Sequence, residues 1–223
     1  KPENVRVYTS SMQVCLVDCD SYSIQGGQKR FPATAFSPEF INPQALVNKL
    51  HPNQLGEAQD NWAVAVAIFK LLNFGIHPYS GVVKSGIQSE SLDDNVRMGL
   101  YAYGMKRNPL ISPRETSWHD LMPSTIRSLF DQAFTVEGLA PRMEAWIACL
   151  DKVLEDGFAR CRNEPKAIDH VTFIGFGCGK CRINELKERR QRSQRPAGTN
   201  GREREPVTMR PTPASQNKPA WQQ

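Results

Sequence analysis

The chain has 223 residues, 39% of them hydrophobic, and a formal net charge of +5. That is enough for one globular body with an appendage. From Arg182 onward ten Lys/Arg face four Glu, so residues 1–181 carry 18 basic and 19 acidic groups. This near-neutral body excludes a nucleic-acid footprint spread over the fold. The longest apolar run, Trp62 to Leu72, is interrupted only by Lys70; at eleven residues it is a core helix and too short for a membrane span.

In chain order, Val5 to Tyr8 and Val14 to Val17 read as two short strands around the polar turn Thr9 to Gln13, a hairpin that brings Asn4 and Asp18 near one another. Residues 20–43 hold Gly26-Gly27, Pro32, Pro38 and Pro43 without periodicity and are expected to form an irregular, partly mobile loop. Pro43 starts a short helix through Val47. Asp60 is expected to cap the next helix, Asn61 to Leu72, which ends near Gly75 with Pro78 beyond; being apolar all round, it is the expected central helix of a mainly α body. Residues 81–117 read as a connection with one helix from Leu92 to Leu100. Residues 124–134 and 141–156 both show the i, i+3, i+4 spacing of amphipathic helices, with Ser124 as N-cap of the first and Pro141 in the first turn of the second. From Asn184 the composition turns Arg/Glu/Gln-rich and then Pro/Thr/Gln-rich, so residues 184–223 are expected to be a basic, disordered tail with a helical stub at 183–192.

Six cysteines with no apolar leader point to a reducing, cytoplasmic setting, where thiols stay free or bind metal. Four ligand-type residues, Cys161, His170, Cys178 and Cys181, follow the pattern C-x8-H-x7-C-x2-C. Two sulfurs at x2 spacing between Gly177 and Gly179 can curl into a knuckle, and the other Cys and His complete a tetrahedral structural zinc site. The competing reading is a free or redox-active Cys178/Cys181 pair; the strand-like Val171 to Ile174 between the ligands favours a small folded unit. Cys149 and Cys15 are expected to be packing residues.

The N-terminal pattern carries a resemblance. Lys1-Pro2-Glu3-Asn4 followed fourteen residues later by Asp18 at the end of an apolar strand is how a protein kinase presents the amide and carboxylate that hold the magnesium ions of ATP. Further pieces follow in kinase order. Phe36 to Gln44 resembles the peptide-positioning loop and the Ala-Pro-Glu motif, with Asn42-Pro43-Gln44 in place of the latter. Asp60-Asn61-Trp62 resembles the start of the central helix, whose Asp anchors the catalytic loop. Gly75-Ile76-His77-Pro78-Tyr79 resembles the Gly-x-x-Pro-Phe that ends it, and Arg142 sits where kinases keep an Arg that pairs with the Glu of Ala-Pro-Glu. The wording is most similar to a bacterial branch of eukaryotic-like Ser/Thr kinases, whose members often carry a C-terminal Cys/His zinc element.

The resemblance implies a kinase C-lobe over 1–156, with a helical body and a short β-hairpin at its start. A zinc-binding element over 157–183 and the tail would follow. It implies ATP and protein substrates as partners, with Asn4 and Asp18 on magnesium, Lys1 on the transferring phosphoryl group, and Ser37 and Pro38 in the substrate-receiving segment. Asp20, two residues after Asp18, could share the metal. The catalytic base, two residues before Lys1, and the N-lobe are not in this chain, so the chain alone is expected to be inactive. Two departures stand out. Asp18-Cys19-Asp20 replaces Asp-Phe-Gly, and Gln44 replaces the Glu partner of Arg142, predicting a weaker, uncharged contact there. These favour the alternative of a non-catalytic pseudokinase-like scaffold or zinc-stabilised binding module. A nucleic-acid role for the tail is disfavoured, because Glu203 and Glu205 alternate with Arg202 and Arg204 and only Trp221 could stack.

Overall fold

The computed structural model describes residues 1–135 and 139–194. It opens on the hairpin β1 (Val5–Tyr8) and β2 (Gln13–Leu16), paired antiparallel with Val5 opposite Leu16 and Tyr8 opposite Gln13. A second hairpin follows, β3 (Ile24–Gly26) with β4 (Lys29–Phe31). This corrects the expectation of an irregular loop over 20–43. Gly26 pairs with Lys29 across a two-residue turn, and Gly27, at φ +61, takes the left-handed conformation that such a turn demands.

The helical body comprises α1 (Pro43–Val47), α2 (Glu57–Leu72), α3 (Leu92–Arg97), α4 (Ser124–Thr135) and α5 (Met143–Asp156). The two-residue strands β5 (Val82–Val83) and β6 (Ile111–Ser112) clamp the connection between α2 and α4. Helix α2 lies at the centre. Trp62, Ala65, Val66 and Phe69 are buried along it, and Phe69 meets Tyr101, Tyr103, Phe130 and Phe134 at ring separations of 4.9 to 6.4 Å. The helix begins at Glu57, ahead of the Asn61 that its sequence suggests. Gly56 is the N-cap and Asp60 lies inside the first turn, which corrects the capping role expected of Asp60. The carboxylate still favours the helix N-terminus through the macrodipole.

Helix α3 starts at a reciprocal Ser91/Asp94 capping box. Ser124 is the first helical residue of α4, with the Pro123 carbonyl accepting from Arg127 N. Arg142 is the N-cap of α5, so Pro141 stands just outside the helix. The segment between α2 and α4, which lacks periodicity, supplies a large part of the core: Tyr79, Leu100, Tyr101, Ala102, Tyr103 and Ile111 are all buried.

After Gly157, β7 (Phe158–Arg160) pairs with β8 (Val171–Phe173), and α6 (Gly179–Gln194) closes the described chain. The helix occupies residues 184–194, where the composition suggests a mostly disordered tail, and it exceeds the expected stub at both ends. The remainder of that tail, 195–223, lies outside the described residues. Among the described residues no helix is long and apolar enough to cross a membrane.

Candidate functional site

The base of the first hairpin joins Asn4 to Asp18. Asn4 closes a single 3-10 turn with its N–H on the Lys1 carbonyl (2.9 Å), and its own carbonyl accepts from Val17 N (2.9 Å). These bonds fix the backbone on both sides, and the Asn4 Nδ2 donates to Asp18 Oδ2 at 3.2 Å. Asp18 adopts φ +60, ψ 53, a left-handed conformation uncommon outside glycine. The pairing leaves the Asn4 Oδ1 and the Asp18 Oδ1 as hard oxygen ligands of the type magnesium takes. Asp20 lies one turn further, in Cys19–Ser21, solvent-exposed, and does not contact Asn4. Lys1 is exposed at the head of the same turn. Cys15, expected to pack, is exposed, because both faces of this hairpin are open.

The segment Ser37 to Gln44 is anchored to α2 by contacts that sequence reasoning missed. Ser37 precedes the turn Pro38–Phe40, and its carbonyl accepts from Phe40 N. The buried Gln59 donates to the Phe40 carbonyl and accepts from Asn42 N, so one side chain satisfies both edges of an otherwise unpaired stretch. Lys70 forms an ion pair with Glu39 at 2.8 Å, largely shielded on the lysine side, and its ammonium lies 5.1 Å from the centre of the Phe40 ring. The buried His77 donates from Nε2 to the Glu39 carbonyl (2.8 Å) and accepts Tyr79 N at Nδ1 (3.2 Å). Burial pushes its pKa down to about 4; a proton on Nδ1 would also oppose the Tyr79 N–H. Two sequence signals mark this anchor: Lys70 is the lone cation of an apolar run, and His77 is the polar member of Gly75-Ile76-His77-Pro78.

Asn42 caps α1 through its side chain on Ala45 N (2.8 Å), with Pro43 in the first helical position. Gln44 is exposed and does not reach Arg142. Arg142 instead pairs with Glu57 at 2.8 Å and lies 3.9 Å from Glu144, all three being well exposed. Trp62 is buried against Phe134 in an edge-on contact of 6.0 Å. Asp60 sits on the open side of α2 beside Arg30 and Glu57; desolvation raises its pKa, against the opposing pull of Arg30.

Toward the C-terminus, Cys161, His170, Cys178 and Cys181 converge, their ligand atoms all within 4.8 Å of one another. Cys161 Sγ is 3.4 Å from Cys181 Sγ, and His170 Nδ1 is 3.5 Å from Cys181 Sγ and 3.7 Å from Cys178 Sγ. Ligands about 2.0–2.3 Å from a central tetrahedral ion stand about 3.5–3.8 Å apart, so the cluster can hold a metal ion. The two hairpin strands deliver Cys161 and His170, whose backbones are joined by Cys161 N to the His170 carbonyl (3.1 Å). Cys178 immediately precedes α6 and Cys181 lies in its first turn, with Cys181 N donating to Cys178 Sγ. The hydrogen bond from His170 lowers the Cys161 pKa to about 6, while burial and the neighbouring sulfurs push Cys181 up to about 12. Thiolates held this close repel one another, and a bound cation removes that conflict.

This unit is seated on the C-terminal end of α2. Asn73, fully buried, accepts from Ser117 Oγ and Trp118 N through one side-chain oxygen (3.0 Å each), and Trp118 Nε1 donates to the Leu72 carbonyl. Trp118 lies against Phe74, ring centres 3.9 Å apart and planes tilted by 34°, and covers Gly179 so closely that a Cβ there would collide with the Trp118 ring. Arg182 to Asp120 (2.6 Å) and Arg190 to Glu115 (3.2 Å) continue the attachment along α6.

No protein-family model matches the chain. Two curated relatives do: protein kinase YegI of Escherichia coli (strain K12), 31% identical over 150 residues covering 63% of this chain and 23% of the relative, and protein kinase YegI of Escherichia coli O157:H7, 29% identical over 165 residues covering 67% and 24%. The chain is related to the protein kinases. It spans about a quarter of the length of these kinases. The mainly helical body, with its short β-hairpins and Cys/His cluster, is consistent with a kinase-like C-lobe.

Proposed function

We propose that this chain is the C-lobe part of a protein kinase domain, contributing to Mg-ATP-dependent transfer of phosphate to Ser/Thr side chains and inactive in isolation. The observation that carries the reading is the Asn4–Asp18 contact at 3.2 Å, which sets an amide and a carboxylate side by side at the spacing expected of a metal-phosphate site. Magnesium bound there would neutralise charge on the ATP phosphates. Asn4 and Asp18 would hold it, Lys1 would steady the transferring group, and the Ser37–Pro38 segment, anchored by Gln59, Lys70 and His77, would align the acceptor peptide. The free exposed faces of the first hairpin, including Val7, Val14 and Leu16, suit coverage by an N-lobe. The Cys/His cluster would hold zinc as a closed structural site, since three thiolates and one imidazole leave no open position. The six cysteines, none in a disulfide, suit a cytoplasmic setting.

The test is phosphate transfer from labelled Mg-ATP by the protein extended through the sequence preceding Lys1. We expect Asp18→Asn to abolish transfer, by about 100-fold or more, and Asp20→Asn to leave it within a few-fold. An extended wild-type protein that neither binds nor turns over ATP would replace this reading with a non-catalytic, zinc-stapled scaffold.

A further inference from the structure

Helix α5 buries only part of its apolar surface. Trp146 and Val153 face the core. Met143, Ile147, Leu150 and Leu154 follow at i, i+4, i+7 and i+11, which places them in a band about 60° wide running about 16 Å along the helix. Leu150 is partly covered, while Met143, Ile147 and Leu154 are 43%, 53% and 64% exposed. Beyond Gly157 the apolar surface continues onto the β7–β8 hairpin through exposed Phe158 and Ile174, the latter lying where a Cβ on Gly157 would meet it at 3.9 Å.

The solvent-side border of this band is acidic. Glu144, Asp151 and Glu155 lie within about 40° of one another and flank it along its length. Glu144 is 3.9 Å from Arg142, and among the described residues neither Asp151 nor Glu155 makes an ion pair within 4 Å. The one lysine of the helix, Lys152, points away from the band and is bound to Asp156 at 2.7 Å.

We infer that α5 is a docking face for a basic amphipathic helix of a partner protein. An apolar band three turns long accepts a helix by interdigitation of side chains, with residues at i, i+3/i+4 and i+7 as anchors. The acidic border selects Lys or Arg on one flank of that helix and sets its orientation. An antiparallel pairing with a second copy of this chain does not fit. In an antiparallel twofold pairing of α5 with itself, the acidic border of one copy meets the acidic border of the other.

The test uses the full chain and a fluorescein-labelled amphipathic peptide of about 18 residues, with Leu at helical anchor spacing and Lys elsewhere. Its Glu-substituted counterpart and a scrambled Leu/Lys peptide serve as controls, all followed by anisotropy. The expected result is saturable binding of the Leu/Lys helix alone, weakened about tenfold or more by Ile147→Ser, which leaves the net charge unchanged. Reversing the border with Glu144→Lys, Asp151→Lys and Glu155→Lys should transfer preference to the Leu/Glu helix. Both variants change exposed residues, and circular dichroism melts check that they remain folded. Three results would overturn the inference: no binding by the full chain, equal binding of the scrambled peptide, or binding indifferent to Ile147→Ser. Concentration-dependent self-association abolished by the same substitution would assign the face to a second copy instead.

Discussion

The helical body and the C-terminal unit solve the same problem with different physics. The body wraps aromatic residues around α2 until Phe69, Tyr79, Phe130 and Trp146 are all but inaccessible to water. The unit spanning β7, β8 and the start of α6 buries little beyond Cys161, His170 and Thr172, while Phe158, Val171, Ile174 and Phe176 stay exposed. A segment of that size cannot fill a core of its own, and under the proposed reading a metal held by the four converging ligands would take over the task. Cohesion spread over many contacts tolerates single losses gradually; cohesion concentrated in one site fails at once.

The sharpest way to break this contrast is metal removal. Chelation should cost the C-terminal unit on the order of several kcal/mol and release α6, seen as lost helicity and altered Trp118 fluorescence, with the main melting transition retained. Phe69→Ala should do the reverse, lowering the main transition by about 3–5 kcal/mol with metal content unchanged. The joint between the regions comes next. Gly179→Ala drives a methyl into Trp118 and should cost about 1–3 kcal/mol, read as an earlier detachment of α6.

Acid should weaken the body selectively through its buried imidazole. His77 has a folded-state pKa of about 4 against an ordinary 6.5, so between these values the unfolded chain binds more protons. Its contribution is complete above pH 6.5 and declines as pH falls toward 4; urea melts should show a loss of about 1–2 kcal/mol at pH 5, reduced in His77→Gln. The smallest effect is expected at Arg142→Ala. Its pairing with Glu57 is exposed on both sides, so stability should change by about 0.5 kcal/mol or less in chemical denaturation.

Periodic segments and ligand spacing are legible in the amino-acid sequence. The α4 and α5 patterns, the short α1 behind Pro43, the first hairpin and the C-x8-H-x7-C-x2-C cluster each occupy the expected stretch of chain. The β3–β4 hairpin escapes such a reading because its strands are three residues long, too short for alternation to register, although Gly26-Gly27 marks its turn. Asp60 misleads because a good capping residue stands where the helix is already under way, and Gly56, which carries no side-chain signal, holds the cap.

What the sequence determined by itself is whatever depends on neighbours along the chain: helix faces, turn residues, and the spacing of the Cys/His cluster. Tertiary structure alone decided which distant groups meet. It brought Gln59 under Phe40 and Asn42, His77 and Lys70 to Glu39, and Trp118 over Gly179, and it turned Arg142 to Glu57. These partners lie far apart along the chain, and no local pattern encodes a partner whose position is set only when the helices pack around α2.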